Sequence, residues 1–306
     1  MTPPCLFTSA ARNISSGITG FLRQGTLCSC AFTRRHMTTR RQTDHLERTA
    51  SNYRQMSIFP ARVSGISMES DSVRRLQLEV KGFTFKAGQW VDFFIPGLEK
   101  VGGFSMCSAP SLLQREGVIE LAVKYTPHPP AHWVHTKCAV DSKVAVRVGG
   151  DFYYDPAPGD APVDLLLVAG GVGINPLYSI LLHAADLLRS SHTPGNRLPS
   201  PGHTHLLYSA KSTQELLFKS TIMEMCREFP GKISCSFNVT RQTEDIDQEL
   251  QPYSRYGRIS QEQLRPLVTE RTLCYMCGPP PMVENASDML VAAGLSDDRI
   301  RYEKWW

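Results

Sequence analysis

The sequence predicts two domains, an antiparallel β-barrel followed by an α/β domain with a parallel sheet. The chain has 306 residues, 42% of them hydrophobic, and a usual length of about 150 residues per domain gives an expectation of two. Short β-rich runs separated by turns occupy residues 58–154, and buried-strand runs alternate with helical runs from residue 165 onward. The change of pattern between the two parts indicates the order of the domains.

The first part has the alternation of polar and apolar residues that is typical of small antiparallel strands with one buried face. Three prolines lead into AHWVHTKC, residues 131–138, which is typical of a short helix inserted between strands. We expect this barrel domain to cover residues 55–157. The alternating or β-rich runs are residues 62–68, 72–80, 89–97, 118–126 and 142–150.

A bridge rich in proline and glycine, residues 155–164, separates the two parts and is the expected domain boundary. After it, buried-strand runs alternate with helical runs, which predicts a parallel sheet with helices on both faces. We expect this second domain to cover residues 162–306. Two polar insertions, residues 190–202 and 242–256, are predicted to be surface loops.

Residues 1–50 have the composition of a mitochondrial transit peptide. No acidic residue precedes Asp44, whereas six arginines lie there among many serines and threonines. A disordered basic tail without a targeting role is the alternative. Without those arginines the chain has 27 basic and 29 acidic residues, so its charge does not indicate a nucleic-acid partner. The six are Arg12, Arg23, Arg34, Arg35, Arg40 and Arg41.

Nine scattered cysteines predict reduced thiols rather than a disulfide framework, which fits the mitochondrial matrix. Cys274 and Cys277 form a lone C-x-x-C without a second pair at metal-binding spacing, so we expect no metal site. The apolar stretch at residues 165–185 contains glycines, Asn175 and Pro176. These interruptions indicate a strand, a turn and a helix rather than a transmembrane segment.

Two segments follow strand-like runs and precede helical ones, at the sheet edge where α/β domains bind ligands. AGGVGINP, residues 169–176, has glycines that allow close backbone approach before a helix start, where N–H groups attract phosphate. We expect Asn175 to be the N-cap and Pro176 the first helical residue. Taken alone, such a turn is more often only a tight turn. CYMCGPPPM, residues 274–282, places Cys277 at the carboxyl end of the sheet, with a buried structural cysteine as the alternative.

A third segment, GGFSMCSAP at residues 102–110, lies in the barrel part. Together and in this order, the three segments resemble the ferredoxin-NADP reductase-like flavoproteins, which carry Arg-x-Tyr-Ser-x-x-Ser, G-G-x-G-[IV]-[TS]-P and Cys-Gly-Pro-Pro motifs. The resemblance runs from about residue 58 to the end of the chain. It implies a flavin-binding β-barrel followed by a Rossmann-like NAD(P)-binding domain, with FAD and NAD or NADP as cofactors.

The resemblance also implies roles for individual residues. Phe104 would lie against the flavin ring, Ser105 near its reactive nitrogen and Ser108 towards its phosphates. Cys277 would lie beside the reacting carbon of the nicotinamide, followed by Gly278 and Pro279. The glycine loop would hold the nucleotide pyrophosphate through Gly170, Gly171, Val172, Gly173, Ile174, Asn175 and Pro176.

The chain ends in RYEKWW, and paired tryptophans at a terminus are unusual unless something covers them. Some members of the family end in Glu, any residue, an aromatic residue and Trp. By that resemblance Glu303 belongs to the catalytic site, and Trp305 or Trp306 is an aromatic lid over the flavin. The alternative is that both rings only pack against the barrel.

The chain departs from the family at the flavin motif, because Gly102 replaces the arginine and Phe104 the tyrosine. His132 or Lys124 is a candidate to replace the lost cation at the flavin phosphate, although a lone histidine is more often a structural or surface residue. In the second domain, Lys211 follows a strand where a cation could meet the 2′-phosphate of NADP, but a single lysine is usually a solvated surface residue. The expected nucleotide is NAD, with NADP as the alternative.

Two functions from different classes follow. The first is an NAD(P)H-dependent flavin oxidoreductase that passes hydride from nicotinamide to FAD and electrons to an acceptor that the sequence does not identify. The second is a nucleotide-binding or assembly protein without catalytic activity, which kept the fold but lost tight flavin binding. The expected partners are the nicotinamide nucleotide, the flavin and that acceptor, and the chain is expected to be a monomer.

The leader makes a prediction that can be tested. A fusion of residues 1–50 to a fluorescent protein should enter mitochondria, because a basic, acid-free segment is attracted by anionic membranes and a negative-inside potential. Microscopy against a matrix marker measures this. The same fusion with its arginines changed to glutamine should remain in the cytosol. Cytosolic fluorescence from the unchanged fusion and from the full-length protein would contradict the prediction.

Overall fold

The computed structural model describes residues 44–191 and 201–304. Most of the predicted leader, and Trp305 and Trp306, therefore lie outside the described residues. The helices are α1 (His45–Arg48), α2 (Pro110–Glu116), α3 (Pro129–Thr136), α4 (Ile174–Ser191), α5 (Lys219–Glu228), α6 (Gln261–Leu264) and α7 (Pro280–Ala292). The strands are β1 (Phe59–Ser70), β2 (Val73–Val80), β3 (Trp90–Phe94), β4 (Gly102–Ser105), β5 (Val118–Lys124), β6 (Lys143–Gly149), β7 (Asp164–Gly170), β8 (Thr204–Ala210), β9 (Ile233–Val239), β10 (Ser254–Tyr256), β11 (Thr272–Gly278) and β12 (Ile300–Lys304).

The first six strands form an antiparallel sheet in the order β4-β3-β6-β1-β2-β5. Its two edge strands approach each other at one bridge, between Met106 and Leu121, so the sheet curls in the manner of a barrel. The alternation along β2 places Leu76, Leu78 and Val80 in one hydrophobic cluster with the side chains of the other strands. This arrangement confirms the predicted antiparallel barrel-like domain.

The other six strands form a parallel sheet in the order β10-β9-β8-β7-β11-β12. Alternate residues of β7 enter different hydrophobic clusters, Leu165 and Leu167 on the side of α4 and α5, Leu166 and Val168 on the side of α6 and α7. A strand covered on both faces is apolar throughout, which explains the continuous LLLV run. The predicted α/β domain is confirmed.

One predicted surface loop, residues 242–256, contains a strand. Its last three residues form β10, which extends the parallel sheet beside β9. Two of those residues are exposed, so the segment lacks the apolar pattern from which a strand is predicted. Short, polar edge strands are common because they discourage pairing with other chains.

The folded body begins before residue 55, because residues 44–54, here called the N-terminal strap, pack against the barrel. His45 is buried, with Nε2 at 2.9 Å from Oδ1 of Asp92. Arg54 and Arg147 donate to the other oxygen of the same carboxylate at 3.0 Å and 2.8 Å. The Asp92 side chain is completely buried, so these three partners take the place of the water molecules that would otherwise hydrogen-bond to its carboxylate. The predicted leader, residues 1–50, thus overlaps the strap.

Space for the strap comes from a glycine of β4. A Cβ added at Gly103 would overlap the His45 ring. The His45 ring also meets Trp90 edge-on at 4.9 Å, and Arg54 lies over that tryptophan at 5.0 Å. The strap is therefore anchored by both charge and aromatic packing.

None of the helices within residues 44–191 and 201–304 is both long and apolar enough to cross a lipid bilayer.

The Asp92 cluster should be important for stability. Replacing Asp92 with Asn leaves two arginines without their carboxylate, and breaking a buried ion pair costs about 3–5 kcal/mol of unfolding free energy. Denaturant unfolding monitored by tryptophan fluorescence measures the change. Glu79→Gln is the matched control, because it removes the same charge from an exposed pair with Arg62 and should have a much smaller effect.

The effect of Asp92→Asn on stability should also depend on pH. Burial alone would raise the pKa of Asp92, but hydrogen bonds from His45, Arg54 and Arg147 outweigh it and hold that pKa below its usual value. The contribution of the carboxylate to stability is therefore complete at neutral pH and is lost as the pH falls through the lowered pKa. The difference between wild type and Asp92→Asn should narrow in acid, and a difference that stays constant would contradict this assignment.

Candidate functional site

The glycine turn connects β7 to α4 through one turn of 3-10 helix, Gly171–Gly173. Gly171 has a φ of 55° and faces open space, whereas a Cβ at Gly173 would overlap the carbonyl oxygen of Cys277. Glycine is therefore needed at Gly171 for backbone conformation and at Gly173 for packing on β11. Val172, between them, is half-buried. The open side of the turn lies at the start of a helix, where N–H groups attract phosphate.

Asn175 and Pro176 do not have the predicted positions at the helix start. The helix begins at Ile174, so Asn175 is its second residue rather than its N-cap and Pro176 is its third. The 3-10 turn ahead of Ile174 starts the helical path early. Pro176 still lies in the first turn, where its missing N–H breaks no helical hydrogen bond.

The Asn175 side chain reaches across to the barrel. Its Nδ2 donates to the carbonyl oxygen of Ala122 in β5 at 2.7 Å, and the side chain is buried. Its Oδ1 is buried without a hydrogen-bond partner among the described residues. An unsatisfied buried acceptor costs about 1–3 kcal/mol, which a donor from water or a ligand would relieve.

Cys277 lies near the carboxyl end of β11, in register with Ala169 of β7 and Glu303 of β12. Its side chain has no exposed surface. Burial, and to a smaller extent the charge of Glu303, raise the pKa of Cys277 well above its usual value. The thiol is therefore protonated at neutral pH. The register places Glu303 beside the predicted nicotinamide site, while the predicted lid of Trp305 or Trp306 lies outside the described residues.

The segment after Cys277 packs closely on the glycine turn. A Cβ at Gly278 would lie 3.1 Å from Cα of Gly170 and 2.7 Å from Cε of Met282. Pro279 then precedes α7. The close contact between two neighbouring strand ends thus explains why glycine is needed at Gly170 and Gly278.

In the barrel motif, Phe104 is half-buried and its ring meets Phe93 edge-on at 5.5 Å. Ser105, the next residue, is buried. Ser105 directly precedes Met106, which bridges to Leu121 of β5. Because Ala122 accepts the hydrogen bond from Asn175, the end of the barrel motif and the glycine turn are both held to β5.

The position that carries arginine in the family motif has no room for a side chain here. A Cβ at Gly102 would lie 2.7 Å from the ring of Phe104 and 3.0 Å from Cβ of Pro130. Helix α3 begins with Pro129 and Pro130, which lack the N–H groups that a helix start offers to a phosphate. The phosphates of FAD therefore do not fit this part of the barrel in the manner of the family motif.

Ser108, which the resemblance places towards a flavin phosphate, makes two hydrogen bonds inside the protein. Its Oγ accepts a hydrogen bond from the backbone N–H of Glu120 at 3.0 Å, and its carbonyl oxygen accepts one from the hydroxyl of Ser179 in α4 at 2.6 Å. The residue is almost fully buried. Through its carbonyl oxygen, Ser108 joins the barrel to helix α4 of the α/β domain.

Lys124, the candidate cation for a flavin phosphate, shares an acidic partner with Lys211. Lys124 Nζ lies 3.7 Å from one oxygen of Glu215, and Lys211 Nζ lies 3.9 Å from the other. Glu215 follows β8, in the loop where the resemblance places the 2′-position of the nucleotide. Sequence reasoning missed Glu215, because its contact with Lys124 of β5 is made only by the fold.

Two cavities in the described part of the chain lie away from these residues. One, of about 430 Å³, lies near the amino ends of the parallel strands and is lined by Asp164, His203 and Arg271. The other, of about 330 Å³, is bounded by Phe83 and Leu113 of the barrel domain. No group of three or more metal-binding side chains is present among residues 44–191 and 201–304.

The Gly102 geometry predicts the result of restoring the family residue. Gly102→Arg should destabilise the barrel rather than create a phosphate site, because the new side chain collides with Phe104 and Pro130; overpacking typically costs about 1–3 kcal/mol. Thermal unfolding measures it. Met68→Arg, which adds the same cation at an exposed strand position, is the control. Unchanged stability together with tighter FAD binding would contradict this prediction.

Comparison with known proteins supports the architecture. The oxidoreductase NAD-binding domain family matches residues 167–288. In a solved Amycolatopsis cytochrome P450 reductase, the matched region covers 82% of this chain and 71% of that chain, with a TM-score of 0.67 and 23% identity. A ferredoxin NADP+ reductase from Neisseria gonorrhoeae, solved with FAD and NADP bound, has a TM-score of 0.63 and 17% identity over 82% of this chain and 100% of that chain. These two likenesses show the fold.

Family membership rests on a much closer relative. The oxidoreductase NAD-binding domain-containing protein 1 of Danio rerio is 66% identical over 273 residues, which cover 88% of this chain and 100% of the relative. The chain therefore belongs to the family of oxidoreductase NAD-binding domain-containing protein 1.

Proposed function

We propose that the chain is an NAD(P)H-dependent flavin oxidoreductase that holds its flavin weakly. The observation that carries this proposal is the hydrogen bond from Asn175 to Ala122, which ties the glycine turn to the barrel strand beside Ser105 and Met106. Two motifs that lie far apart in the chain are thereby held to one strand. Such fixed positioning is what the protein contributes when cofactors supply the chemistry.

The nucleotide fits the α/β side of the site. Gly171 presents open space with a backbone conformation suited to glycine, at the start of a helix that favours negative charge. Cys277 and Ala169 form the buried floor beside the turn. Because the Cys277 thiol stays protonated, it contributes bulk and excludes water there without adding charge.

The barrel offers residues that could contact a flavin ring but lacks the family's contacts for the flavin phosphates. Phe104 and Ser105 are the barrel residues that would face the ring, and a bound flavin would supply a hydride acceptor at that position. Gly102, Pro129 and Pro130 supply neither a cation nor N–H donors for the phosphates. The chain therefore holds flavin through the ring more than through the phosphates.

Three charged groups lie in the loop where the resemblance places the 2′-position of the nucleotide. Lys124 and Lys211 both lie beside Glu215, so this cluster carries two positive charges and one negative charge. All three side chains are partly exposed, so water screens the attraction of the lysines for a phosphate and the repulsion of the carboxylate alike. The proposed substrate is NADH or NADPH, and the proposed location is the mitochondrial matrix, with an electron acceptor still to be identified.

A nucleotide-binding or assembly protein without catalytic activity is the second candidate. It is favoured by one observation, the closed space at Gly102 between Phe104 and Pro130. In that case the α/β domain binds nucleotide and the barrel is an accessory surface.

Titration of purified protein separates the two candidates. We expect NADH to bind. We expect FAD to bind about tenfold to a hundredfold more weakly than it would bind to a barrel with the family's full set of phosphate contacts, since one charge-assisted hydrogen bond is worth roughly 1.5–3 kcal/mol. Quenching of flavin fluorescence measures FAD binding, and the change in NADH fluorescence measures NADH binding. If NADH binds but FAD fails to bind at high micromolar concentration, the oxidoreductase proposal is wrong and the second candidate replaces it.

A variant pair tests the nucleotide site in the same assay. Gly171→Val should weaken NADH binding, because a β-branched residue is strained at a positive φ. Gly97→Val is the matched control, since Gly97 also has a positive φ, of 76°, and faces open space, but lies in the barrel. Equal NADH affinity in both variants would place the nucleotide elsewhere.

A further inference from the structure

The loop between β8 and α5, residues 211–218, begins beside the glycine turn. Ser209 of β8 is in register with Gly170 of β7, so this loop leaves the sheet at the carboxyl edge next to the turn. Open α/β sheets bind ligands at this edge. The loop carries Lys211 and Glu215, two of the charged groups described above. Contacts that fix the β8–α5 loop therefore bear on the proposed nucleotide site.

Phe218, the last residue of this loop, has a strained backbone. Its φ is 57° and its ψ is 13°, in the left-handed region that favours glycine. Within residues 44–191 and 201–304, Asp141 is the only other non-glycine residue with a positive φ. A side chain persists in this region only where the surrounding structure imposes it, and such residues cluster at ligand-binding segments. The conformation of Phe218 is therefore imposed by its contacts.

The Phe218 ring packs on both domains. It lies parallel to the Tyr178 ring of α4, with centroids 4.2 Å apart and planes at 4° to each other. The guanidinium of Arg75 in β2 lies 5.6 Å from the centroid of the Phe218 ring. Phe218 and Tyr178 are both buried, and stacked rings and a cation over a ring face both attract. The Phe218 side chain is thereby fixed where the barrel meets the α/β domain.

The backbone of Phe218 is held by a carboxylate of the barrel. Oε1 of Glu69 in β1 accepts a hydrogen bond from the Phe218 N–H at 3.1 Å, and its Oε2 lies 3.5 Å from Nη1 of Arg75. The first N–H groups of a helix have no partner within the helix, and Phe218 caps α5 without a side-chain hydrogen bond of its own. Glu69 therefore supplies, from the other domain, an acceptor that the start of α5 lacks.

A chain of polar contacts fixes Glu69 on the barrel side. Its partner Arg75 also donates to the buried carboxylate of Glu120 in β5. Glu120 accepts a second hydrogen bond from Nε2 of Gln77 at 3.1 Å, and its backbone N–H donates to Oγ of Ser108, at the end of the barrel motif, at 3.0 Å. Connected polar networks of this kind hold their members rigidly. The barrel motif and the β8–α5 loop thus share one network.

On the basis of the proposed function, we infer that Glu69 is a positioning residue for the nucleotide, because it holds the β8–α5 loop in the conformation that binds NAD(P)H. Glu69 acts through Phe218. Without the carboxylate, the Phe218 N–H loses its acceptor, and the backbone strain at Phe218 favours other conformations of the loop. Nucleotide then binds more weakly, because only a fraction of the molecules hold the competent loop.

Three variants of Glu69 in the full chain separate position from charge. Glu69→Ala should weaken NADH binding about threefold to tenfold, the range that corresponds to one net hydrogen bond. Glu69→Asp keeps the charge but is one methylene shorter, so it should also bind NADH more weakly. Glu69→Gln keeps an oxygen within reach of the Phe218 N–H and should bind NADH as the wild type does. The control is Glu79→Ala, the same substitution at an exposed barrel position. NADH fluorescence measures affinity, and thermal unfolding shows which variants are folded.

Hydrogen exchange gives a second measurement that needs no ligand. Amides of residues 211–218 should exchange faster in Glu69→Asp than in the wild type, because the loop opens more often, and Glu69→Gln should keep the slow exchange. Wild-type NADH affinity or wild-type exchange in Glu69→Asp overturns the inference and leaves the proposed function intact. Equal weakening in Glu69→Asp and Glu69→Gln also overturns it, since the acceptor position then does not decide binding. A wild-type protein that fails to bind NADH contradicts the proposed function and this role of Glu69 together.

Discussion

Two buried hydrogen bonds from α4 to the barrel hold the candidate site together. Asn175 donates to Ala122 and Ser179 donates to the carbonyl oxygen of Ser108. The two donors are four residues apart, so they lie on one face of the helix. Each bond contributes only about 1 kcal/mol to net stability, but burial makes any other seating of the helix leave polar groups unsatisfied. The glycine turn, which directly precedes this helix, is placed relative to the barrel as a consequence.

The two halves of the site differ in how well they suit their ligands. On the α/β side, the glycine turn keeps both its conformation and its open space at Gly171. On the barrel side, Phe104 and Pro130 leave no space for a side chain at Gly102, and α3 begins with residues that have no N–H. The proposed nucleotide binding would therefore rely on backbone geometry that the fold preserves. Flavin phosphate binding relies on side chains and donors that this sequence has replaced.

The N-terminal strap, residues 44–54, contributes to the stability of the barrel. His45 and Arg54 both bind the carboxylate of Asp92, which has no access to water. Their removal would leave Arg147 as its one remaining charged partner among the described residues. Cleavage of a leader before His45 would keep all three partners of Asp92 in place. The strap begins at residue 44, so it overlaps the last residues of the predicted leader, residues 1–50.

The sequence by itself determined the two domains, their order, the apolar β7 strand and the glycine turn. These features follow from local patterns, since period-two alternation, continuous apolar runs and glycine between a strand and a helix have direct structural meaning. The tertiary structure alone decided the partners of Asn175, Ser108 and Lys124. Those partners are distant in the chain or lie on different elements. Which of them meet depends on how helices and strands pack, and that packing leaves no periodic signal in the sequence.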